Sequence, residues 1–155
     1  MNKTTKYILG GILLLGLLWF GYYTISPLFI TVAADEALLV VSVPTTASTT
    51  ESRERVAAIV GTTLHPASGS VRIFEAEGKA YVRYENYKTI NGPDIYVYLA
   101  NDLDATEYVS LGKVRATEGN VNYEIPAEID ISQYRYVLTW CKAFDVLFNY
   151  ADLKS

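Results

Sequence analysis

The feature that most limits how this chain can fold is an apolar run near its N-terminus. No charged residue occurs between Lys6 and Asp35. Residues 7–26, at about 1.5 Å each in a helix, span roughly the 30 Å of a bilayer core, and Pro27 then stops the helix. The sequence therefore predicts a transmembrane helix over residues 7–26.

The flanks of this run predict its orientation. Lys3 and Lys6 precede it, and positive charge is retained on the cytoplasmic side of membranes. Aromatic residues suited to the outer interface lie near its other end: Trp19, Tyr22 and Tyr23. We therefore expect a single-pass protein of the cell membrane, with residues 1–6 in the cytoplasm and the chain after residue 26 outside it.

A cleaved signal peptide is the alternative interpretation of the same run. The small residues Val32, Ala33 and Ala34 precede Asp35 in a pattern compatible with cleavage. The hydrophobic region of a signal peptide spans about 7 to 15 residues, and this apolar segment is longer. An uncleaved signal anchor is therefore the favoured interpretation.

Residues 27–55 are predicted to connect the anchor to a folded domain. The part up to Pro44 is rich in β-branched residues and is expected to form an extended juxtamembrane segment. The part that follows, TTASTTESRER at 45–55, has a Ser/Thr-rich and charged composition that cannot bury a core. A flexible tether of about ten residues reaches under roughly 20 Å, so the domain stays near the membrane.

Residues 56–153 show the patterns of an all-β domain. Short runs of alternating apolar and polar residues are separated by turn signals, as expected of an antiparallel β-sandwich. The runs SVRIFE and AYVRYE predict a hairpin about Gly78. The runs YVSLGKVRA and VNYEIP predict a second hairpin about Gly119.

The C-terminal stretch YRYVLTWCKAFDVLFNYA holds the single cysteine of the chain and predicts one long strand or two strands with a bend. Successive strand residues point to opposite faces. Trp140, Phe144 and Phe148 therefore share one face, while Cys141 lies among smaller residues on the other. Both faces are largely apolar, which is typical of a strand buried on two sides.

Charge and residue counts exclude several classes of function. A formal net charge of −4 excludes the basic surface of a nucleic-acid-binding protein. One cysteine and one histidine exclude C-x-x-C exchange within the chain, covalent c-type haem, blue copper and a four-ligand zinc site. The sequence contains no G-x-S-x-G elbow and no glycine-rich phosphate loop. No metal site is predicted, and enzyme activity stays undecided.

Four pieces of the chain resemble, in order and spacing, the DM-thirteen domain family. They are HPASGSVRIFE, GPDIYVYL, GNVNYEIP and TWCKAFDVLF. That family is described as an electron-transfer domain with a β-sandwich-like fold, often found beside haem-binding or cytochrome domains in extracytoplasmic proteins. The resemblance covers residues 56–153 and implies the same fold and function here.

The resemblance also implies which residues carry the chemistry. The tryptophan-cysteine motif is the family's proposed redox element, which assigns Cys141 the redox role beside Trp140. His65 is the other position of the family pattern most able to do chemistry, and Asp94 of the GPD piece is a candidate for orienting a ligand or cofactor. We expect any redox partner to be a separate protein, such as a cytochrome.

Each of these residues also has a plainer structural interpretation. Cys141 suits an inert core position, since the local sequence supplies no cation or helix N-terminus that would favour the reactive thiolate. His65, before Pro66, and Asp94, after Pro93, both suit turns. The residues alone leave structural and chemical roles open.

If Cys141 reacts, three routes remain. They are a mixed disulfide with a partner, a Cys141-linked homodimer, and contact with a non-covalent cofactor. The cofactor is unspecified; non-covalent haem is compatible with His, Cys or Tyr ligands. The alternative function is a non-catalytic β-sandwich that binds a ligand or a protein at the cell surface, through its loops or a face carrying Tyr96 and Tyr98.

Overall fold

The computed structural model describes residues 2–39 and 55–154 of the chain. An N-terminal helix precedes a domain of nine strands, which confirms the predicted all-β domain with a single N-terminal helix. The elements are α1 (Lys3–Ile25), β1 (Ala33–Asp35), β2 (Arg55–Gly61), β3 (Ala67–Ala76), β4 (Lys79–Thr89), β5 (Ile95–Ala100), β6 (Tyr108–Lys113), β7 (Glu118–Ile125), β8 (Tyr136–Cys141) and β9 (Val146–Asp152). The predicted tether lies outside the described residues, apart from Arg55.

Helix α1 is long and apolar enough to cross a membrane. At 23 residues it extends about 35 Å. It begins earlier than predicted because Asn2 caps it, with Oδ1 accepting a hydrogen bond of 2.9 Å from the Thr5 N–H. It ends at Ile25, and Pro27 falls in the short 3-10 turn that follows.

The nine strands form one curled sheet in the order β1-β7-β4-β3-β2-β9-β8-β5-β6. Strand β2 makes the corner of this sheet. Its first part, residues 55–58, pairs with β3, and its last part, residues 59–61, pairs with β9. The two halves of the sheet therefore face each other across one core, as the layers of a β-sandwich do. All neighbouring strands are antiparallel except β1 and β7, which are parallel.

The core between the two halves is filled from both sides. Inward-facing side chains of β2, β3, β4 and β7 meet those of β5, β8 and β9 in one buried cluster. Its members include Ala57, Val71, Ile73, Val82, Tyr84, Tyr87, Val97, Leu99, Val121, Tyr123, Val137 and Ala151. The period-two patterns place most of these residues inward. In β4 an irregularity between Tyr84 and Tyr87 interrupts the alternation and keeps both rings inward.

The predicted hairpin turn about Gly78 is confirmed, and the C-terminal stretch takes the second of its two predicted forms. Glu77 and Gly78 connect β3 to β4, and both have positive φ, 53° and 74°. This is the two-residue turn whose twist matches that of its strands. The C-terminal stretch is two strands, β8 and β9, joined by a turn at residues 142–145.

The second predicted hairpin is wrong. Strand β6 pairs with β5, whereas β7 pairs with β4 and β1. Gly119 lies inside β7 with φ 107°, where a side chain would collide with the carbonyl oxygen of Ala34 on β1. The glycine is therefore required by the close approach of a parallel strand, not by a turn.

Strand β1 brings part of the juxtamembrane segment into the sheet. The guanidinium of Arg83 donates hydrogen bonds to the backbone oxygens of Glu36 and Ala37, at 3.0 and 3.3 Å. The Glu36 carboxylate pairs with Arg115 at 2.9 Å. The sheet thus starts upstream of the predicted domain boundary and is tied to the residues that follow the helix.

Candidate functional site

The candidate site lies at the C-terminal end of β8, where two adjacent residues point to opposite faces of the sheet. Trp140 belongs to an outer cluster with Tyr98 and Leu138. Cys141 belongs to an inner cluster with Ile95 and Phe148. The predicted separation of the indole from the thiol is therefore present in the structure.

The predicted environment of the cysteine is wrong with respect to its aromatic neighbours. Thr139 pairs with Asn149 and Trp140 pairs with Leu147, so Phe148 is an extra residue in a β-bulge of β9. The bulge breaks the alternation and brings Phe148 beside Cys141. Phe144 lies in the turn and is 46% exposed.

The thiol of Cys141 is fully buried and free. Thiol-disulfide exchange requires a thiolate to attack a sulfur directly. A mixed disulfide or a Cys141-linked homodimer therefore requires the hairpin of β8 and β9 to open first. The closed fold leaves Cys141 in contact with its own core alone.

A buried hydrogen-bond network surrounds Thr139, the next inward residue on β8. Its Oγ1 lies 3.2 Å from the hydroxyls of both Tyr84 and Tyr87. The side-chain amide of Asn149 donates to the Tyr87 hydroxyl at 3.1 Å and to Thr89 Oγ1 at 3.2 Å. Burial raises the pKa of Tyr84 and of Tyr87, so both stay protonated. Sequence reasoning missed this network because its members come from three strands.

On the outer face, Trp140 lines a surface cleft of about 470 Å³. The cleft is formed by residues 62–65, the connection from β5 to β6, and the start of β9. The Trp140 indole N–H donates a hydrogen bond of 3.2 Å to Oδ1 of Asp145. Asp145, at the end of the turn, has φ 54°, a left-handed conformation that Asp adopts more readily than most residues.

Asp145 was missed from the sequence. The signal that could have indicated it is the piece WCKAFD read as a strand followed by a turn, which returns the aspartate towards the tryptophan. Placing Asp145 beside Trp140 requires the length of the turn, and the alternation of apolar and polar residues does not reveal that length.

His65 lines the same cleft but is engaged within its own loop. Its Nδ1 lies 2.9 Å from Thr62 Oγ1, and its ring stacks on Phe148 with 3.9 Å between centroids. Burial lowers the pKa of His65, and a hydrogen bond to the backbone of Leu147 opposes that effect. The ring is therefore neutral at neutral pH and fastens the loop to β9.

Asp94 lies apart from the cleft, at the entry to β5. Its carboxylate pairs with Lys113 at 2.9 Å, and its backbone oxygen accepts a hydrogen bond of 2.9 Å from the Lys142 N–H. Gly92, in the same motif, packs under Phe148, where an added Cβ would lie 2.8 Å from the ring. The GPD piece thus supports the end of β8 and does not line the cleft beside Trp140.

Two of the side chains compatible with haem ligation, those of His65 and Cys141, do not share a cavity. His65 faces the cleft and is hydrogen-bonded to Thr62, whereas Cys141 lies in the core. Residues 2–39 and 55–154 contain no group of three or more His, Cys, Asp or Glu that could hold a metal ion. This donor set does not fit a haem held by His65 and Cys141.

Comparison with known proteins identifies the family of the domain. The family model described as Electron transfer DM13 matches residues 60–153, which is more than half of the 155 residues. No curated protein and no solved structure is significantly similar to the chain. The match runs from β2 past the end of β9 and includes His65, Asp94, Trp140 and Cys141. The chain therefore belongs to the DM13 electron-transfer domain family, as its sequence motifs predicted.

Proposed function

We propose that this protein is a membrane-anchored carrier of single electrons that works outside the cytoplasm, with Cys141 as its redox group. The observation that carries the proposal is the Trp140–Cys141 pair at the end of β8. One side chain reaches an open cleft and the other lies in the closed core directly behind it. Membership of an electron-transfer family supports the same function.

Burial of Cys141 favours electron transfer over thiol-disulfide exchange. An electron can pass between groups that do not touch, whereas exchange needs contact between two sulfur atoms. In each cycle the Cys141 thiol gives one electron to oxidised Trp140 and its proton to water, which leaves a thiyl radical. A one-electron reductant and a proton from water then restore the thiol. Trp140 is the contact for the oxidant, a separate redox protein with a high-potential one-electron centre.

The N-terminal helix supports the proposed position of the domain. Helix α1 is long and apolar enough to anchor the chain in a membrane, and Lys3 and Lys6 favour a cytoplasmic N-terminus. Strand β1 joins the sheet shortly after the helix ends. These features support a domain that is held close to the outer surface of the cell membrane.

The test follows the oxidised tryptophan by transient absorption. The full chain is studied in detergent micelles with Trp19→Phe, which leaves Trp140 as the single tryptophan. A flash excites tris(bipyridine)ruthenium(II), an added one-electron acceptor converts it to the ruthenium(III) oxidant, and the tryptophanyl radical of Trp140 is followed. If Cys141 supplies the replacing electron, Cys141→Ala should lengthen the radical lifetime by about tenfold or more, equivalent to about 1.4 kcal/mol in the barrier.

Val137→Ala is the matched control for this experiment. Val137 lies on the same face of β8 and is also buried, so its truncation creates a comparable change in the core without removing a redox group. Its radical lifetime should equal that of the parent chain. Equal radical lifetimes in the parent and in Cys141→Ala would show that Cys141 does not supply the replacing electron.

A non-catalytic binding module is the second candidate, and the apolar rim of the cleft is the observation that favours it. Leu64 is 79% exposed beside the cleft, and Phe144 is exposed in the neighbouring turn. Exposed apolar side chains around a cleft are typical of protein-binding sites. In this case Leu64→Ser should abolish recovery of a partner, and Cys141→Ala should leave recovery unchanged.

A further inference from the structure

We infer that Asp145 is the proton acceptor when Trp140 is oxidised by one electron, so that the electron passes to the partner at the cleft while Asp145 holds the proton. This inference rests on the proposed function, because it concerns the same cleft. It adds a residue that neither the family match nor the sequence motifs assign.

The geometry places a carboxylate on the one indole atom that carries a proton. Nε1 of Trp140 donates to Oδ1 of Asp145 at 3.2 Å. Residue Trp140 is only 7% exposed, whereas Asp145 is exposed. The proton therefore has one short step from a nearly buried ring to a group in contact with water.

The chemistry balances in electrons and protons. Trp140 gives one electron to the oxidant, which is reduced by one electron. The indole radical cation is a far stronger acid than the neutral indole, so its N–H bond breaks and the proton bonds to the Asp145 carboxylate. When a donor returns one electron to the neutral radical, Asp145 returns the proton, and both groups are restored.

A base in hydrogen-bond contact changes how readily the tryptophan loses an electron. Without it, the positive charge of the radical cation stays in a nearly buried ring, where low polarity disfavours charge. With it, charge leaves the ring as the electron does. Proton transfer to a positioned base contributes about 10²–10⁴-fold to the rate of many reactions, which sets the scale of the expected effect.

The cleft contains its own matched control. Asp104 also lines it, as a second exposed aspartate, but the indole N–H bonds to Asp145. Asp104→Asn therefore removes the same charge from the same cleft without removing the proton acceptor. Asp145→Asn keeps an oxygen that can accept the hydrogen bond but no longer takes the proton, and Asn tolerates the left-handed backbone at that position.

The experiment uses the full chain in micelles with Trp19→Phe and flash-generated tris(bipyridine)ruthenium(III). The neutral tryptophanyl radical and the radical cation have different visible spectra, so early spectra report which species forms. The parent and Asp104→Asn should give the neutral radical directly. Asp145→Asn should give the radical cation, with formation of the neutral radical slowed by about tenfold or more. Asp145→Glu, which restores a carboxylate, should recover part of the parent behaviour.

Two results would overturn the inference. One is direct formation of the neutral radical in Asp145→Asn at the parent rate. The other is an equal effect of Asp104→Asn, because that would assign the change to net charge in the cleft. Both readouts concern the proton state of the radical when it forms, while the Cys141→Ala experiment concerns how long the radical lasts. Either proposal can therefore fail without the other.

Discussion

The two faces of β8 hold chemically active side chains in opposite surroundings. On the outer face, the N–H of Trp140 meets the carboxylate of Asp145 at the edge of an open cleft. On the inner face, the hydroxyls of Tyr84 and Tyr87 meet Thr139 in a closed core. Both faces carry oxidisable rings whose N–H or O–H groups are hydrogen-bonded. The two faces differ in the partner of that hydrogen bond.

This difference separates the ring that can pass its proton to a carboxylate from the rings that cannot. The outer ring donates to the carboxylate of Asp145, which is exposed to water. The inner tyrosines bond to Thr139 and Asn149, which are not bases, and burial raises the pKa of both phenols. An inner ring that lost an electron would keep its proton in the core. Under the proposed function, Trp140 is therefore the ring that carries the electron, and the tyrosine network has a structural role.

The largest expected loss of stability comes from truncation of Phe148, the bulge residue that contacts both the cleft and the core. Its ring stacks on His65 of the cleft and packs in the cluster of Cys141. Phe148→Ala should lower the free energy of unfolding by about 4 kcal/mol, since truncation of a buried Phe removes apolar contacts and leaves a cavity. Urea unfolding of the full chain in micelles measures it.

Phe144→Ala is the control for Phe148→Ala, because it truncates the same residue type in the neighbouring turn, where the ring is half exposed. This substitution should lower the free energy of unfolding by no more than about 0.5 kcal/mol. Similar costs at the two positions would show that Phe148 does not bridge the faces as described.

Phe148 also shows why part of the fold could not be read from the sequence. Alternation placed Trp140 and Cys141 on opposite faces, because two adjacent residues of one strand must diverge. The same rule put Phe148 with Trp140, and the bulge reversed it. A bulge inserts one residue without any change in composition, so periodicity cannot reveal it.

The structural role of a glycine could not be read from the sequence for a related reason. Gly78 and Gly119 both have positive φ and both follow a glutamate, yet the first makes a turn and the second admits a parallel strand. Turn chemistry is local and could be predicted. The approach of β1 to β7 joins residues that are far apart in the chain, and no local pattern encodes it. The contact between Trp140 and Asp145 depends in the same way on the length of the turn.

An intermediate loss of stability is expected on substitution of Thr139, and it tests the structural role of the tyrosine network. Thr139→Val keeps the shape of the side chain but removes the oxygen shared by Tyr84 and Tyr87. A buried hydroxyl left without a partner costs about 1–3 kcal/mol, so unfolding should be easier by about 2 kcal/mol. Thr139→Ser keeps the hydroxyl and should retain most of the stability.

The radical assay on the same variant tests whether the tyrosine network takes part in the oxidation of Trp140. Thr139→Val should leave formation of the Trp140 radical unchanged, because the outer face does not use the network. A changed rate of radical formation in a folded Thr139→Val chain would mean that the inner tyrosines also exchange charge. The assignment of a purely structural role to the tyrosine network would then be wrong.

The smallest effect concerns His65, which connects the cleft to Phe148 and titrates nearest neutral pH. Burial lowers its folded pKa below the ordinary value of 6.5. Below about pH 6.5 the unfolded chain therefore binds a proton that the folded chain resists, and stability falls as the pH falls towards the folded pKa. The melting temperature of the parent should thus drop between about pH 7.5 and about pH 5.5, and His65→Gln should remove that part of the drop. The lowered pKa values of Asp102 and Asp152 act at more acidic pH, below their ordinary value of 3.8, and do not contribute in this window. An equal drop in the parent and in His65→Gln would mean that His65 is as well solvated in the fold as in the unfolded chain, and that it does not fasten the cleft to the core.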